Sequence, residues 1–439
     1  MFFCNECGAE TSKWSGKCTA CGAWNSLKES TAVTGKKTKR KGVGDKSEPI
    51  PIGKIKSDTT KKRQTGISEF DCVLGGGIVP GMCILIGGEP GIGKSTLMLQ
   101  IAEQIASSGK VLYVSGEESK EQIKLRADRL NCKSEELLLL CSTDVENIIQ
   151  NIAKQEPDLV IIDSIQSVYS ASMDNAPGSV SQLRECTAQF TRVAKKTNIP
   201  VFLIGHVTKD GFVAGPKIIE HIVDTVLYFE GDNKNSFKIL RTTKNRFGST
   251  NEIGLFEMIS TGLQEVKNPS ELFLSNDELA PGTSVGCMLE GTRAFLVEVQ
   301  ALVSPASFGV SQRVAVGFDH KRLAMLLAVI EKNFSLNLKQ NDVFINVTGG
   351  IKLTEPALDL AIISAIISGF NEMEIPPGTV FIGEIGLNGE IRPVSQTEKR
   401  IKEAEKLGFD KIIVSGKLKL NNKNITKIKH IKQVFNVIK

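Results

Sequence analysis

The stretch GGEPGIGKSTL, residues 87–97, constrains the fold of this 439-residue chain more than any other segment. It carries the spacing Gly88-x4-Gly93-Lys94-Ser95 between an apolar run of strand length, GMCILIG, and a run with helical periodicity, KSTLMLQIAEQIASSG. Strand, glycine-rich loop and helix in this order are the context in which a P-loop holds phosphates. The glycines let the backbone wrap the phosphates, which also meet the helix N-terminus. The sequence therefore predicts an α/β nucleotide-binding core.

The P-loop also predicts ligands for ATP and Mg2+. Lys94 is expected to reach the β- and γ-phosphates, and the hydroxyl of Ser95 is expected to bind Mg2+. The residues predicted to contact ATP from this loop are Gly88, Glu89, Pro90, Gly91, Ile92, Gly93, Lys94, Ser95 and Thr96.

Polar residues end three further β-rich runs. KVLYVSGEES ends in Glu117 and Glu118, PDLVIIDSI carries Asp163, and IPVFLIGHVTKDG reaches His206. In a parallel sheet these ends meet at the carboxyl edge, where ligands bind. We expect Asp163 to support Mg2+ and His206 to sense the nucleotide. Either glutamate could deprotonate the attacking water, and Glu117 is favoured because it falls nearest the strand terminus.

Four of the ten cysteines crowd into the first 21 residues as CNECG and CTACG. This C-x2-C … C-x2-C pattern suits a tetrahedral zinc ion, and a closed four-sulfur site leaves no open position for catalysis. We expect a structural zinc held by Cys4, Cys7, Cys18 and Cys21.

A basic segment follows the cysteines. Residues 28–63 contain 12 Lys or Arg against 4 Asp or Glu, whereas the whole chain has a net charge of +5. Its Gly, Lys and Ser content is typical of a linker, and the sequence leaves open a solvated tether or an arm that seeks nucleic-acid phosphates.

A hairpin is predicted within FKILRTTKNRFGSTNEIGLFEM, where two β-rich runs flank KNRFGST. Lys244 and Arg246 are expected to project together from its tip. A solvated turn is one reading. The other is a tip that stabilises the γ-phosphate of a neighbouring subunit in a ring-shaped motor.

In combination, the four-cysteine finger, GGEPGIGKST, HVTKDGFVAGPKIIEHIVD and KNRFG resemble the bacterial RadA (Sms) DNA-repair family. The resemblance implies a zinc finger, a RecA-like ATPase and a Lon-protease-like domain. It also implies a homo-hexameric ring that works with a RecA-type recombinase in homologous recombination. Such a ring drives branch migration of recombination intermediates on single-stranded DNA.

The resemblance further assigns residues to DNA. It marks KNRFG, with Lys244 and Arg246, as a family signature for DNA handling and for contact with the neighbour's nucleotide. It also places two loops, after Asp163 and after His206, in the central channel of the ring. Lys209 and Lys217 are then the expected phosphate contacts, because mobile Gly- and Ser-rich loops suit a sequence-blind grip.

The C-terminal part resembles a Lon proteolytic domain through INVTGGIKLTEPALDLAIISAIISG and TVFIGEIGLNGEIRPVSQTEKRIKEAEKLGF. Lon peptidases pair a serine nucleophile with a lysine. Here Ala357 stands at the serine position and Glu398 at the lysine position, with Lys399 one residue later. Since alanine has no hydroxyl, no peptidase activity is expected.

The predicted fold class is α/β, with a four-cysteine zinc finger, a RecA-like P-loop ATPase core and a Lon-protease-like domain. We place the finger at residues 1–27, a basic linker at 28–50, the ATPase at 51–267, a second linker at 268–285 and the Lon-like domain at 286–439. The chain has neither a signal-type N-terminus nor an apolar run near the ~20 residues of a membrane span, so we expect a cytoplasmic protein without a membrane partner.

The function predicted from these features is a DNA-dependent ATPase and translocase for recombinational repair. Three alternatives stay open at this point: an ATP-dependent Lon-like peptidase, a nucleotide-switched DNA-binding scaffold and a RecA-like autokinase.

Overall fold

A computed structural model describes most of the chain. The described residues are 2–4, 10–19, 22–29, 51, 62–206, 215–231, 237–266, 268–274, 280–306, 311–334, 336–348, 355–420 and 422–438. Two compact units divide the chain, residues 1–265 and 266–439. Apart from its first two residues, the basic linker predicted at 28–50 lies outside the described residues.

The N-terminal ribbon is a small antiparallel sheet in the order β2-β1-β3, formed by β1 (Phe2–Cys4), β2 (Glu10–Thr11) and β3 (Leu27–Glu29). Cys4 and Cys18 are buried beside Leu27. The last strand continues two residues past the end predicted for the finger, because Lys28 and Glu29 pair with β1. Cys7 and Cys21 lie outside the described residues.

In the described part of the first unit, nine strands form one sheet in the order β12-β11-β10-β9-β4-β8-β7-β5-β6. Strands β4 to β9 pair in parallel, and β10 to β12 add an antiparallel extension beside β9. The strands are β4 (Cys83–Gly88), β5 (Val111–Ser115), β6 (Leu137–Cys141), β7 (Leu159–Asp163), β8 (Val201–Ile204), β9 (Thr225–Glu230), β10 (Phe237–Asn245), β11 (Ile253–Ile259) and β12 (Gly262–Glu265).

Helices cover both faces of this sheet. Successive residues of a strand point to opposite faces, so Ile84 packs with helix α2 in one core and Leu85 packs with helix α5 in another. This explains why the parallel strands are continuous apolar runs. The helices of the unit are α1 (Ser68–Val73), α2 (Lys94–Ala106), α3 (Lys120–Arg129), α4 (Val145–Gln155), α5 (Val180–Thr197) and α6 (Gly215–Glu220).

Three of these helices begin at a side-chain cap. Ser119, Asp144 and Ser179 each accept a hydrogen bond from a backbone N–H of the first turn of α3, α4 and α5. Such caps satisfy N–H groups that have no partner within the helix. They fix where each strand-to-helix connection ends.

The second unit contains a mixed sheet in the order β15-β16-β14-β13-β17-β20-β21, and a two-stranded sheet of β18 and β19. Its strands are β13 (Thr283–Glu290), β14 (Arg293–Pro305), β15 (Arg313–Val316), β16 (Asn341–Val347), β17 (Thr379–Ile382), β18 (Glu384–Ile385), β19 (Ile391–Arg392), β20 (Lys411–Ser415) and β21 (Ile425–Ile428). Its helices are α7 (His320–Phe334), α8 (Asp359–Asn371), α9 (Thr397–Lys406) and α10 (Val434–Ile438).

Helices α8 and α9 lie on opposite faces of this sheet. A Cβ added at Gly286 would lie 2.2 Å from the Leu358 side chain, so only glycine lets the start of α8 approach β13 so closely. The neighbouring Cys287 points the other way and packs with Ile401 and Ala404 of α9. The unit is therefore layered as helix, sheet and helix.

The linker predicted at 268–285 is mostly ordered structure, which corrects that prediction. Strand β13 begins at Thr283, inside the predicted linker. Ser270 is fully buried and its hydroxyl accepts from the N–H of Leu296, while the carbonyl of Phe273 accepts from Glu298. Sequence reasoning took Asn268–Gly282 for a domain join because it is rich in turn residues, whereas these hydrogen bonds attach its first residues to β14.

A buried ion pair holds α9 to the sheet. The guanidinium of Arg400 is fully buried and donates to both oxygens of Glu355, at 2.8 and 2.6 Å. It also donates to the carbonyls of Cys287 and Ser395. Every nitrogen of the guanidinium thus has a protein partner in place of the water lost on burial.

Among the described helices, none is long and apolar enough to cross a membrane.

We expect Glu355→Gln to destabilise the C-terminal unit by about 3 kcal/mol, because it leaves a buried guanidinium without its counter-charge. For a unit of this size, the melting temperature should fall by about 6–12 °C. Thermal unfolding of the full chain measures the shift. Glu398→Gln is the matched control, since Glu398 is exposed on α9, the helix that carries Arg400. Equal shifts for both variants would contradict this role of the pair.

Candidate nucleotide site

The P-loop joins β4 to α2 as predicted, and its glycines occupy backbone conformations that other residues avoid. Gly88, Gly91 and Gly93 have φ angles of 151°, 77° and 119°. A Cβ at Gly88 would lie 2.6 Å from the carbonyl oxygen of Phe229, and a Cβ at Gly93 would lie 2.9 Å from Met258. Backbone conformation favours glycine at all three positions, and lack of space also requires it at Gly88 and Gly93.

Lys94 lies under this loop with only 4% of its surface exposed. Its Nζ donates to the carbonyl oxygens of Gly88 and Glu89, both at 2.8 Å. Burial lowers the pKa of this ammonium to about 8, against the opposing effect of the nearby carboxylates of Asp163 and Glu117. A phosphate group placed here would favour the charged form of Lys94. The buried ammonium is therefore suited to an anionic ligand.

Strand pairing brings the predicted strand ends to one edge of the sheet. Ser115 pairs with Asp163, Asp163 pairs with Ile204, and Ile204 pairs with Ile86, just before the P-loop. A cavity of about 370 Å3 lies at this edge. It is lined by Gly91, Gly93, Lys94, Ser95, Thr96, Ser115, Glu117, Glu118, Arg126, Arg129, Asp163 and His206.

Asp163 is oriented by Tyr113, a residue that sequence reasoning missed. The Tyr113 hydroxyl donates to Oδ2 of Asp163 at 2.5 Å. Burial, with the neighbouring carboxylate second, raises the pKa of Tyr113 well above its ordinary value, so the hydroxyl remains a donor. Asp163 and Ser95 both line the cavity, and their carboxylate and hydroxyl oxygens are of the kind that Mg2+ prefers.

The two glutamates have different partners. Glu117 accepts a hydrogen bond from the Ser164 hydroxyl, and its other oxygen lies 3.5 Å from Nε2 of His206. Glu118 instead forms an ion pair with Arg126 of α3. Glu117 thus contacts residues that follow β7 and β8, whereas the charge of Glu118 is neutralised by Arg126.

His206 and Gln166 form a polar pair at the end of β8. The side-chain amide of Gln166 donates to the carbonyl of His206 at 3.2 Å. Within the described residues, Nδ1 of His206 and Oε1 of Gln166 are buried without a hydrogen-bond partner. Buried polar atoms of this kind usually acquire a partner when water or a ligand is bound.

Sequence reasoning also missed Arg126 and Arg129, which line the cavity from α3. Their spacing of three residues places them on one helical face. Helical periodicity after the two glutamates could have indicated them. Tyr113 and Ser164 carry no comparable signal, because each is a single polar residue in or beside a buried strand.

The KNRFG turn lies at the opposite edge of the sheet from the P-loop of its own subunit. The hairpin is present, with β10 antiparallel to β9 and β11. Asn245 is level with Thr225, which pairs with Ile84 near the start of β4. The P-loop begins four residues farther along, about 13 Å away at the usual rise of a strand. Neither cation of this turn can therefore serve the nucleotide of its own subunit.

The expectation that Lys244 and Arg246 project together from the tip is wrong for Lys244. Its ammonium folds back and donates to the carbonyls of Glu220 at 2.7 Å, Val223 at 2.8 Å and His221 at 3.3 Å. These carbonyls follow helix α6 and attract a cation. Burial, with Arg246 as a second cause, lowers the pKa of Lys244.

Arg246 remains half exposed while it contacts an acidic residue. Its guanidinium donates to Oδ1 of Asp224 at 3.1 Å, and Lys195 lies 3.6 Å from the same oxygen. The other oxygen of Asp224 accepts from the N–H of Cys83 at 3.1 Å. The turn is thus attached to the start of β4, with 52% of the Arg246 side chain facing solvent.

Two predicted DNA contacts fall where little is described. Lys209 lies outside the described residues, and of Lys217 the structure describes only the backbone, at the start of α6. In the second unit, Ala357 is buried in a short turn before α8, and Glu398 and Lys399 are exposed at the start of α9.

Three family models match parts of the chain. The model described as a rubredoxin metal binding domain matches residues 2–29, and the one described as an AAA domain matches residues 51–211. The model for subunit ChlI of Mg-chelatase matches residues 311–417. The predicted fold class is confirmed: a zinc-ribbon-type N-terminus, a RecA-like ATPase domain and a ChlI- or Lon-like C-terminal domain.

The chain is similar over nearly its whole length to proteins named DNA repair protein RadA. It is 51% identical over 419 residues to that of Bacillus subtilis, covering 94% of this chain and 92% of the relative. Identity is 48% over 416 residues to that of Listeria monocytogenes and 50% over 413 residues to that of Streptococcus pyogenes serotype M1, with 94% of this chain and 91% of each relative covered.

Two solved structures are similar to part of the chain. A RadB recombinase is 26% identical, covers 46% of this chain and 99% of its own, and gives a TM-score of 0.38. A KaiC-like protein from Pyrococcus horikoshii is 18% identical, covers 47% of this chain and 99% of its own, and gives a TM-score of 0.39.

The different partners of the two glutamates generate a prediction. We expect Glu117→Gln to slow ATP hydrolysis by about 100-fold or more, because a general base contributes about that factor. Glu118→Gln keeps the same shape and removes only the pair with Arg126, so its loss should stay below about tenfold. Single-turnover phosphate release measures both, and binding of a fluorescent nucleotide shows that each variant still takes up ligand. The reverse ranking would make Glu118 the base.

Proposed function

The chain belongs to the RadA family of DNA repair proteins, and from this premise we propose that it is a DNA-dependent ATPase that translocates on single-stranded DNA. In this proposal it promotes branch migration of recombination intermediates, in cooperation with a RecA-type recombinase. The observation that carries the proposal is the separation of the P-loop and Arg246 on opposite edges of one sheet. Arg246 can reach a nucleotide only if that nucleotide belongs to another subunit, and this supports the proposed assembly into a homo-hexameric ring.

The residues of the cavity take separate roles in hydrolysis. Lys94 and the P-loop backbone hold the β- and γ-phosphates, while Ser95 and Asp163 hold Mg2+. The metal, when bound, neutralises charge that develops on the phosphate oxygens. Glu117 orients and deprotonates the attacking water, and its contact with His206 links it to the end of β8. His206 senses whether the γ-phosphate is present.

Arg246 supplies positive charge to the nucleotide of the neighbouring subunit. A cation at that position stabilises the transition state of phosphoryl transfer. Lys244 already shares its ammonium among three carbonyl oxygens. It therefore positions the turn, and its own transfer to a neighbour's phosphate requires these hydrogen bonds to break.

Hydrolysis is coupled to DNA through the segments that follow Asp163 and His206. The loop after His206 carries Lys209 and continues into α6 with Lys217. In this proposal both lysines contact DNA phosphates in the ring channel. Because α6 ends at the carbonyls that Lys244 binds, movement of the KNRFG turn would be transmitted to α6.

The N-terminal ribbon holds a structural zinc ion through Cys4, Cys7, Cys18 and Cys21. The burial of Cys4 and Cys18 beside the short sheet supports this assignment, since thiolates of a closed site are shielded from water. The Lon-like domain has no peptidase role in this proposal. Ala357 offers no nucleophile, and Glu398 cannot accept the proton of one in the way a lysine does.

The proposal predicts that single-stranded DNA stimulates ATP hydrolysis several-fold, because the segments assigned to DNA directly follow Asp163 and His206, which line the cavity. Steady-state turnover with and without an oligonucleotide measures this, with a duplex of equal length and the Lys94→Met variant as controls. Equal, slow turnover in both conditions would favour a nucleotide-switched scaffold. ATP-dependent degradation of casein would favour the peptidase alternative.

A further inference from the structure

The two tryptophans of the chain are both in the N-terminal ribbon and both face solvent. Trp14 is 60% exposed and Trp24 is 73% exposed. Tryptophan is highly buried on average in folded proteins. The described core of the ribbon is small, with Cys4, Cys18 and Leu27 buried and Phe2 packed against them. The described core of this domain is small, yet both indoles remain in water. We take this exposure to indicate that the indoles contact a ligand.

Trp24 is held in place by the backbone around it. Lys17 and Trp24 form an isolated antiparallel bridge, and the N–H of Asn25 donates to the carbonyl of Gly16 at 2.8 Å. The ammonium of Lys17 lies 5.6 Å from the centroid of the Trp24 ring. The backbone of Trp24 is therefore fixed, and its ring has a cation over one face and most of its surface open to solvent.

The charge around these rings favours an anionic ligand. Lys13 adjoins Trp14 and is exposed, and Lys17 lies over Trp24. The basic segment at residues 28–63, with its excess of eight positive charges, follows directly in the sequence. Flat aromatic surfaces interleaved with cations are the features by which proteins hold unpaired bases and their phosphates.

We propose that Trp14, Lys17 and Trp24 form a stacking surface for single-stranded DNA. The proposal rests on the proposed function, which makes single-stranded DNA the substrate, and adds a second contact in the N-terminal ribbon. Unpaired bases stack on the indoles, and Lys17 neutralises an adjacent phosphate. The contact is blind to sequence, because every base has an aromatic face. Duplex DNA fits this surface poorly, since its bases are already stacked on one another.

A protein partner fits these observations less well. A stable protein–protein interface buries about 800 Å2 on each partner. Two indoles supply at most about 250 Å2 each, and only in part, because neither is fully exposed. A short run of bases needs no more area than this.

The test uses the full-length protein and its own tryptophans. Because the chain has no other tryptophan, its indole fluorescence reports on the ribbon alone. We expect oligo(dT) to quench this fluorescence, and an abasic oligonucleotide of equal length and charge to leave it nearly unchanged. Quenching that is equal for both, or absent for both, would overturn stacking.

Affinity variants provide the second measurement, by fluorescence anisotropy of labelled oligo(dT). Trp24→Ala should weaken binding about tenfold, within the range known for base–aromatic stacking, whereas Trp24→Phe should retain most of the affinity. Leu387→Ala is the control, because Leu387 is an exposed apolar residue of the C-terminal unit. Unchanged affinity for Trp24→Ala and Trp14→Ala would overturn the proposal and leave the ribbon free to bind protein.

Failure of this inference is distinguishable from failure of the proposed function. If single-stranded DNA stimulates ATP hydrolysis but oligo(dT) does not quench the tryptophan fluorescence, only the stacking surface is contradicted. If oligo(dT) quenches the fluorescence but has no effect on ATP hydrolysis, the stacking surface is supported and the proposed DNA-dependent motor is contradicted.

Discussion

The parallel pairing of β4 to β9 determines where the catalytic candidates that line the nucleotide cavity lie. The register that sets Ser115 beside Asp163, and Asp163 beside Ile204, delivers carboxylates and a histidine to the edge where the P-loop begins. Both faces of β4, β5 and β8, and of β7 up to Asp163, are buried, so a slip of the register would displace whole apolar runs and cost far more than any single contact. The positions of Lys94, Glu117 and Asp163 follow from that packing.

The same sheet makes the site incomplete within one subunit. Its antiparallel extension turns at KNRFG on the far edge, where Asp224 and the carbonyls after α6 hold the two cations. The sheet carries phosphate ligands at one edge and an exposed arginine at the other. Each edge therefore offers half of a nucleotide site. In the proposed ring, assembly would join them, and hydrolysis would then depend on contact between neighbours. The P-loop edge and the KNRFG turn are thus two ends of one rigid element, which suits a motor.

Much of this could be predicted from the sequence, because the decisive signals are local. A P-loop spacing between a strand and a helix, and apolar runs that end in a carboxylate, place Lys94 and Asp163 without knowledge of the tertiary structure. The contacts that the sequence did not indicate join distant segments. Lys244 donates to carbonyls about twenty residues earlier in the chain. Tyr113 donates to Asp163 on the adjacent strand, and Ser270 accepts a hydrogen bond from β14. Turn-rich composition could not distinguish an ordered segment of the C-terminal unit from a linker.

The central claim is that each nucleotide is hydrolysed between two subunits, and mixing two inactive variants tests it most directly. Lys94→Met removes a residue of the P-loop side, and Arg246→Gln removes the cation of the opposite edge. In a randomly mixed ring, roughly a quarter of the interfaces join an intact P-loop to an intact Arg246. The account predicts that DNA-stimulated hydrolysis returns to about that fraction of the unmodified level on mixing. Hydrolysis that stays at the level of either variant alone would contradict a shared site.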